Sequence, residues 1–473
     1  MAIDLSQGSG STVSGREQLD RAAARTVDVT KLIDGTKIGA FQYLTLVLCM
    51  SVLFFDGYDT QALGYAAPSL VPSLHIDRPS MAWVFAISLI GMIAGACIFG
   101  PLADRFGRKK LVLITTTLFG IFSIGTAMCT TIDGLLVMRF LTGCGLGGAM
   151  PNAVSLSVDY FPRKMRATTV AIVFVGFTIG ATVGGYLSAA MLPIWGWQSV
   201  FYVGGAIPIL LLPVLYFALP ESVRLLILHG SSRSPEIART LSKIVRGQSF
   251  DGATFVVSEK ADAGVPVKHL FTGGRKPGTI LIWIIFFFSL FITFLLASWM
   301  PMVIHSAGIS VSRAVAATAT IQLGAIVGCL LAGRLMDSFN PYWVLTAGYI
   351  LAGISLAALT TINAKMPYAL VIALIFVAGV LYSIGGTQGA NALAGSYYPT
   401  YIRSTGLGWA LGIGRTGAIA GSLIGGLLIS LHWDLHGVFF TAAVASWCAA
   451  IVVFVMRKYP SPEQLTAQAK TLK

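Results

Sequence analysis

The chain has 473 residues, 55% of them hydrophobic and 11% charged, with a formal charge of +13 at pH 7. Soluble domains carry about 25% charged residues, so this composition excludes an ordinary soluble protein and points to a chain that crosses a membrane repeatedly. The positive charge invites a nucleic-acid reading, but 27 of the 32 Lys and Arg gather at one set of ends of the apolar segments, which is a topology signal instead.

Residues 1–37 are polar and lack the apolar core of a signal peptide, so they are expected to form a cytoplasmic N-terminal segment and the first span to act as its own insertion signal. Twelve apolar segments follow, at about 38–66, 81–102, 111–131, 134–158, 167–191, 199–219, 279–303, 313–336, 342–362, 367–389, 404–430 and 435–456. The first carries Phe54–Gln61, where Asp56 and Asp59 interrupt an otherwise apolar run. An acid at the centre of a spanning helix costs about 2.5–3.5 kcal/mol. Three residues apart, the two acids share one helix face, which is expected to look into a bundle or a wet cavity. Gly57 between them allows a close approach of backbone or ligand.

An even number of spans puts both termini on one side, and the Lys and Arg distribution makes that side cytoplasmic. Residues 220–278 form a cytoplasmic linker between a six-helix bundle at 38–219 and another at 279–456, with a tail at 457–473. Within the linker Ser234-Pro235-Glu236 reads as a helix start. Ile237, Leu241, Ile244 and Val245 recur at helical spacing, predicting a short amphipathic helix against the cytoplasmic face. Residues 247–266 read as flexible linker. The six cysteines lie in apolar runs without CxxC spacing and read as packing residues, not a disulfide framework or zinc site.

The halves repeat. Tyr160–Thr168 matches Tyr397–Thr405 at an offset of 237 residues, and Gly180 and Gly184 match Gly417 and Gly421 at the same offset. Gly100-x-x-x-Asp104 matches Gly333-x-x-x-Asp337 at an offset of 233. Two parallel six-span halves with a site at their interface is a transporter architecture. Arg139 lies about 9 Å along its helix from the outer end, and a buried Arg needs a carboxylate partner, for which Asp56 and Asp59 are the candidates.

Gly100-Pro101-Leu102-Ala103-Asp104-Arg105-Phe106-Gly107-Arg108-Lys109-Lys110 resembles the G-x-x-x-D-R-x-G-R-[RK] signature of the major facilitator superfamily. Arg139-x-x-x-Gly143-x-Gly145-x-Gly147 and Pro220-Glu221-Ser222-Val223-Arg224 resemble two further motifs of that family, and the likeness covers essentially the whole chain. It implies an all-α membrane protein of twelve transmembrane helices in two pseudo-symmetric six-helix bundles. It also implies a latching role for Asp104, Arg105 and Arg108. The D-G-x-D sequence of the first span, with Gly412–Gly417, resembles the aromatic acid:proton symporter branch. By that resemblance Asp56, Asp59, Arg139, Asp337, Arg403 and Arg415 occupy positions important for transport. Asp159 stands where the branch usually carries Glu, with Arg108 or Arg166 as its partner.

The expectation is a secondary transporter that imports a small aromatic carboxylate with protons and needs no cofactor. Asp56, Asp59 and Arg139 are the coupling residues, and Arg415, near mid-membrane, offers a planar fork to the substrate carboxylate. Tyr58, Trp299 and Trp409 are candidates to contact the ring, and Gln322, Gln388 and Asn391 to hydrogen-bond its substituents. Asp104, Arg105, Arg108, Asp159, Arg166, Asp337 and Arg403 are the gating set. The expected setting is the inner membrane, with the protein acting as a monomer and with no nucleic-acid partner. The alternatives are another cargo in the same architecture (an organic acid, a sugar or a drug) or a non-transporting membrane sensor. No nucleophile–base set, metal cluster or phosphate-binding loop favours an enzyme.

Overall fold

The computed structural model describes residues 26–228, 230, 235–245, 250, 253–257, 267–399 and 402–460. Among them twelve helices are long and apolar enough to cross a membrane. They are Ala40–Ser73, Arg78–Phe106, Arg108–Ala127, Ile132–Asp159, Arg163–Trp195 and Gln198–Ala218 in the first half, and Lys276–Ser306, Val311–Ser338, Pro341–Thr361, Tyr368–Tyr397, Thr405–Ser430 and His436–Met456 in the second. They are numbered here as spans 1 to 12. Their outer faces stay apolar, as Leu210, Phe217, Ile194 and Leu330 show at 70% exposure or more, which suits a hydrocarbon surrounding.

With lipid outside, helices associate through close backbone contact at small residues. Span 1 crosses span 5 at Gly57 and Gly180, where a Cβ would run into the carbonyls of Phe177 and Phe54 respectively. Spans 2 and 4 meet at Gly95 and Gly147. The second half repeats both crossings: Gly417 and Gly421 of span 11 lie on Phe287 and Phe291 of span 7, and Gly324 and Gly379 join spans 8 and 10. The 237-residue sequence repeat is thus a repeat of helix crossings.

Span 10 extends beyond its hydropathy segment and is broken at Gly386, between the helices Tyr368–Gly385 and Thr387–Tyr397. Gly385 packs on the backbone of Tyr349 there.

A small module covers the terminal end of the first half. Strand β1 (Thr26–Asp28) pairs in parallel with strand β2 (Thr254–Val256), and the helix Val29–Gly35 follows β1 with Asp28 as its N-cap. Val29, Ile33 and Phe255 are buried with Ile237, Leu241 and Ile244 of the amphipathic helix Pro235–Ile244, against the base of spans 1, 3, 4 and 6. Span 1 is fixed to this base by Gln42, whose Oε1 accepts from Gly39 N at 2.7 Å and whose Nε2 donates to the Tyr160 carbonyl at 2.9 Å. Ser234, expected to cap the amphipathic helix, and most of 247–266 lie outside the described residues. Thr254–Val256 differs from the flexible linker expected there. Its residue types favour extended backbone, and its partner lies 228 residues earlier, out of range of local reading.

Candidate functional site

Asp56 and Asp59 both point into the protein, at 0% and 2% exposure. Their environments differ. Asp59 Oδ2 lies 3.2 Å from Arg139 Nη1, and its Oδ1 accepts from Ser123 Oγ at 2.7 Å. Of the two acids that sequence offered to Arg139, Asp59 is the partner. Arg139 Nε and Nη2 donate to Thr126 Oγ1 at 3.1 and 2.9 Å, and Nη2 also donates to Thr142 Oγ1 at 3.2 Å. Each threonine hydroxyl passes its own proton to a helix carbonyl, of Phe122 and Met138. The guanidinium also lies over the Phe201 ring at 4.8 Å. A buried ion pair survives only where its remaining donors and acceptors are satisfied, and this one is satisfied from spans 1, 3, 4 and 6.

Asp56 is less well provided. Its Oδ1 accepts only a 3.3 Å bond from Thr60 Oγ1, one turn on, and its Oδ2 is buried without a partner among the described residues. Arg415 lies half-buried on span 11, with no hydrogen bond or ion pair to the described residues. Asp56 of span 1 lies near enough to act on it electrostatically. A carboxylate with a free oxygen on span 1 and a guanidinium without a bond to the described residues on span 11 thus belong to opposite halves.

Two adjoining cavities lie between the halves, sharing Ala297 of span 7. One, with about 30 Å³ of free space, reaches Asp59, Arg139 and Thr142 on one side and Phe294, Ser298 and Ser422 on the other. The second, of the same free volume of about 30 Å³, is lined by Gln61 and Tyr65 of span 1 and by Thr293, Gln322 and Tyr382 of the second half. Both combine apolar walls with a few convergent polar groups, as small-molecule sites do.

The other residues proposed for substrate are dispersed. Gln322 lines the second cavity. Tyr58 is held between Gly184 and Gly204 and donates to the Val200 carbonyl at 2.9 Å, inside the first half. Trp299 is fully buried; its indole donates to the Ser422 carbonyl at 2.8 Å and its ring meets Phe85 edge-on. Trp409 is 44% exposed and stacks on Trp283. Gln388 is exposed and Asn391 half-buried, both on the helix after the Gly386 break.

At the terminal end Arg108 takes Asp159, at 2.5 Å, and Ser222 Oγ donates to the same carboxylate oxygen at 2.5 Å. Arg166 is half-buried at the start of span 5. Asp104 is exposed and 3.8 Å from Arg108, and Arg105 lies over Phe106. Gly107 turns the chain at φ +110°, where a Cβ would strike the Glu221 carboxylate. That carboxylate accepts from the backbone N–H groups of Arg108 and Lys109 at 2.8 and 3.1 Å, capping span 3 with an anion where the helix dipole favours one. Arg403 donates Nε to the Tyr398 carbonyl at 3.3 Å, and Asp337 is exposed.

The halves are packed together at the end remote from the termini. Ser312 Oγ donates to the Ala189 carbonyl at 2.6 Å, the Tyr186 and Thr320 hydroxyls meet at 2.9 Å, and Gly426 fits against Ala82 and the Pro79 carbonyl. At the terminal end Cys97, Trp409 and Asp337 are exposed, and Gly333, Gly408 and Gly412 face open space.

Sequence reasoning gave no site role to Gln61, Ser123, Thr126, Thr142 or Glu221, although Glu221 lies in the Pro220–Arg224 motif and Gln61 ends the Phe54–Gln61 stretch. Thr142 was findable as the residue one turn from Arg139, and Gln61 as a polar side chain two residues beyond Asp59. Ser123 and Thr126 carry no such mark.

The family model described as Major Facilitator Superfamily matches residues 49–387 and 282–473. A gallate transporter of Pseudomonas putida is 38% identical over 429 residues, covering 90% of this chain and 94% of the relative. A 4-hydroxybenzoate transporter of the same organism is 38% identical over 442 residues, covering 93% and 97%. Among solved structures, a D-xylose-proton symporter matches with a TM-score of 0.68 at 20% identity, covering 90% of this chain and 99% of that one.

Proposed function

The chain belongs to the major facilitator superfamily, and from that premise we propose that it carries small aromatic carboxylates of the hydroxybenzoate kind into the cell together with protons, by alternating access. It is a multi-pass membrane protein and a transporter. The observation that carries the substrate reading is Arg415: a half-buried guanidinium on span 11 with no bond to the described residues, within electrostatic reach of Asp56 in the other half. A carboxylate seated there would gain a charge-assisted, two-pronged contact and neutralise a cation that is costly to move through an apolar interior. The transport of gallate and 4-hydroxybenzoate by relatives at 38% identity supports the aromatic class.

Asp56 and Asp59 are the proton-coupling pair in this reading, with no other cofactor. Asp59 is locked to Arg139, so a proton arriving there removes one half of a buried ion pair and leaves the guanidinium with its three hydroxyl contacts. Asp56 takes up a proton without breaking an ion pair. The Lys and Arg bias supports both termini lying in the cytoplasm of an inner-membrane protein. The packed end is then the outer one and the open end faces inward. A cavity complete within one chain suits a monomer.

The test is uptake in proteoliposomes under an imposed inward proton gradient. Wild type should accumulate 4-hydroxybenzoate above equilibrium, and Arg415→Ala should lose binding of the acid while binding a neutral ring analogue as before. Equal affinity of Arg415→Ala and wild type for 4-hydroxybenzoate would remove Arg415 as the anion site.

A further inference from the structure

We propose that Gln61 and Gln322 act as an amide pair that reads a hydroxyl on the substrate ring remote from its carboxylate, so that the site selects para- or meta-hydroxylated acids over benzoate. This rests on the assignment of the substrate carboxylate to Arg415. The two amides line the same cavity from opposite halves, Gln61 on span 1 and Gln322 on span 8. Gln61 is 4% exposed, and neither amide has a hydrogen-bond partner among the described residues.

The other polar groups of this cavity are engaged. Tyr65 donates to the Ala181 carbonyl at 2.9 Å, Tyr382 to the Ser289 carbonyl at 3.2 Å, and Thr318 to the Ala314 carbonyl at 3.0 Å. Thr293 meets the Tyr382 hydroxyl and donates to Ser289 as well. The two glutamines are therefore the groups left to bind something.

An amide offers a carbonyl acceptor and an NH₂ donor, and a phenol both donates and accepts. One amide oxygen can take the phenolic proton while the other amide's NH₂ donates to the phenolic oxygen. Leu296, Ala297, Ile321 and Ala325 supply apolar walls for the ring. Neither Asp56 nor Arg415 lines this cavity, and Gln61, five residues after Asp56, lies about 7.5 Å farther along span 1 and on another of its faces, so a hydroxyl that reaches the two amides is one away from the carboxylate. An ortho hydroxyl would remain at the Arg415 end. Because the two glutamines come from different halves, a hydroxyl bound to both would also bridge them.

The experiment compares benzoate, 2-hydroxybenzoate and 4-hydroxybenzoate with the full-length protein in proteoliposomes. Wild type should favour 4-hydroxybenzoate over benzoate by roughly ten-fold, the scale of one net neutral hydrogen bond, and should give 2-hydroxybenzoate no such preference. Gln61→Leu and Gln322→Leu should each reduce the ratio of 4-hydroxybenzoate to benzoate several-fold. Equal handling of benzoate and 4-hydroxybenzoate by wild type, or an unchanged ratio in both variants, overturns the proposal. A variant that loses benzoate transport as well has lost its fold; the other variant then decides, and if both are lost the wild-type ratios decide. If none of the three acids moves in wild type, the aromatic-carboxylate reading itself fails, a result distinct from transport without discrimination.

Discussion

Asp59 and Arg139 show how far a single ionisable residue is readable before folding. The depth of Arg139 in an apolar run demands a carboxylate, and two were available three residues apart. Choosing between them needs Ser123 and Thr126, which lie one turn apart on span 3 and look like ordinary small packing residues in the sequence. Removing one member of a buried pair leaves an uncompensated charge, at a cost of about 3–5 kcal/mol. Asp59→Asn and Arg139→Gln should therefore each lower thermal stability in detergent strongly. The double variant should be less destabilised than the sum of the two; additive losses would show that the pair contributes nothing as a pair. Asp56, without an ion-pair partner, was given the same role by its motif, and only the coordinates separate it from Asp59. Arg415 was legible through its depth and through the Gly412–Gly417 motif, and its lack of a bond to the described residues was not.

Among whole helices, the twelve spans were evident from hydropathy because a bilayer needs a long apolar run and little else. What hydropathy cannot convey is which helices touch. The repeated glycines carried that information, since each places backbone against backbone at a crossing. Gly57 is the sharpest case, lying between the two acids with the Phe177 carbonyl against it. Gly57→Ala should push span 1 off span 5 at a cost of about 1–3 kcal/mol, the usual range for overpacking, and should reduce transport along with stability. Gly412→Ala, at a position facing open space, is the control expected to leave the unfolding temperature unchanged. Equal unfolding temperatures for the two variants would contradict the close crossing. Tyr58 illustrates the opposite limit: its neighbours in sequence are the two acids, yet its ring is committed to Gly184, Gly204 and the Val200 carbonyl.

Across the molecule, the pseudo-repeat gives two bundles whose shared surface holds the cavities, and the helix crossings tie the spans of each bundle together. The halves meet through Tyr186, Ser312 and Gly426 at one end and diverge at the other, as expected of units that rock about a common centre. The pairing of β1 with β2 bears on that motion. The earliest described residues and those just before the crossing to the second bundle lie side by side, roughly one strand spacing of about 4.8 Å apart. The first bundle is thereby closed into a ring, and most of the stretch between bundles belongs to it. Residues 258–266, outside the described residues, separate this ring in sequence from the 3₁₀ turn Val267–Leu270, whose Leu270 is buried with the second bundle. Fully stretched, that leash reaches about 35 Å at 3.3–3.6 Å per residue, a ceiling on how far its two anchors can part. Deleting six of those nine residues should slow the exchange of open states while ligand affinity holds, as simultaneous binding and transport assays would reveal; equal loss of both would mean the leash serves assembly, not travel.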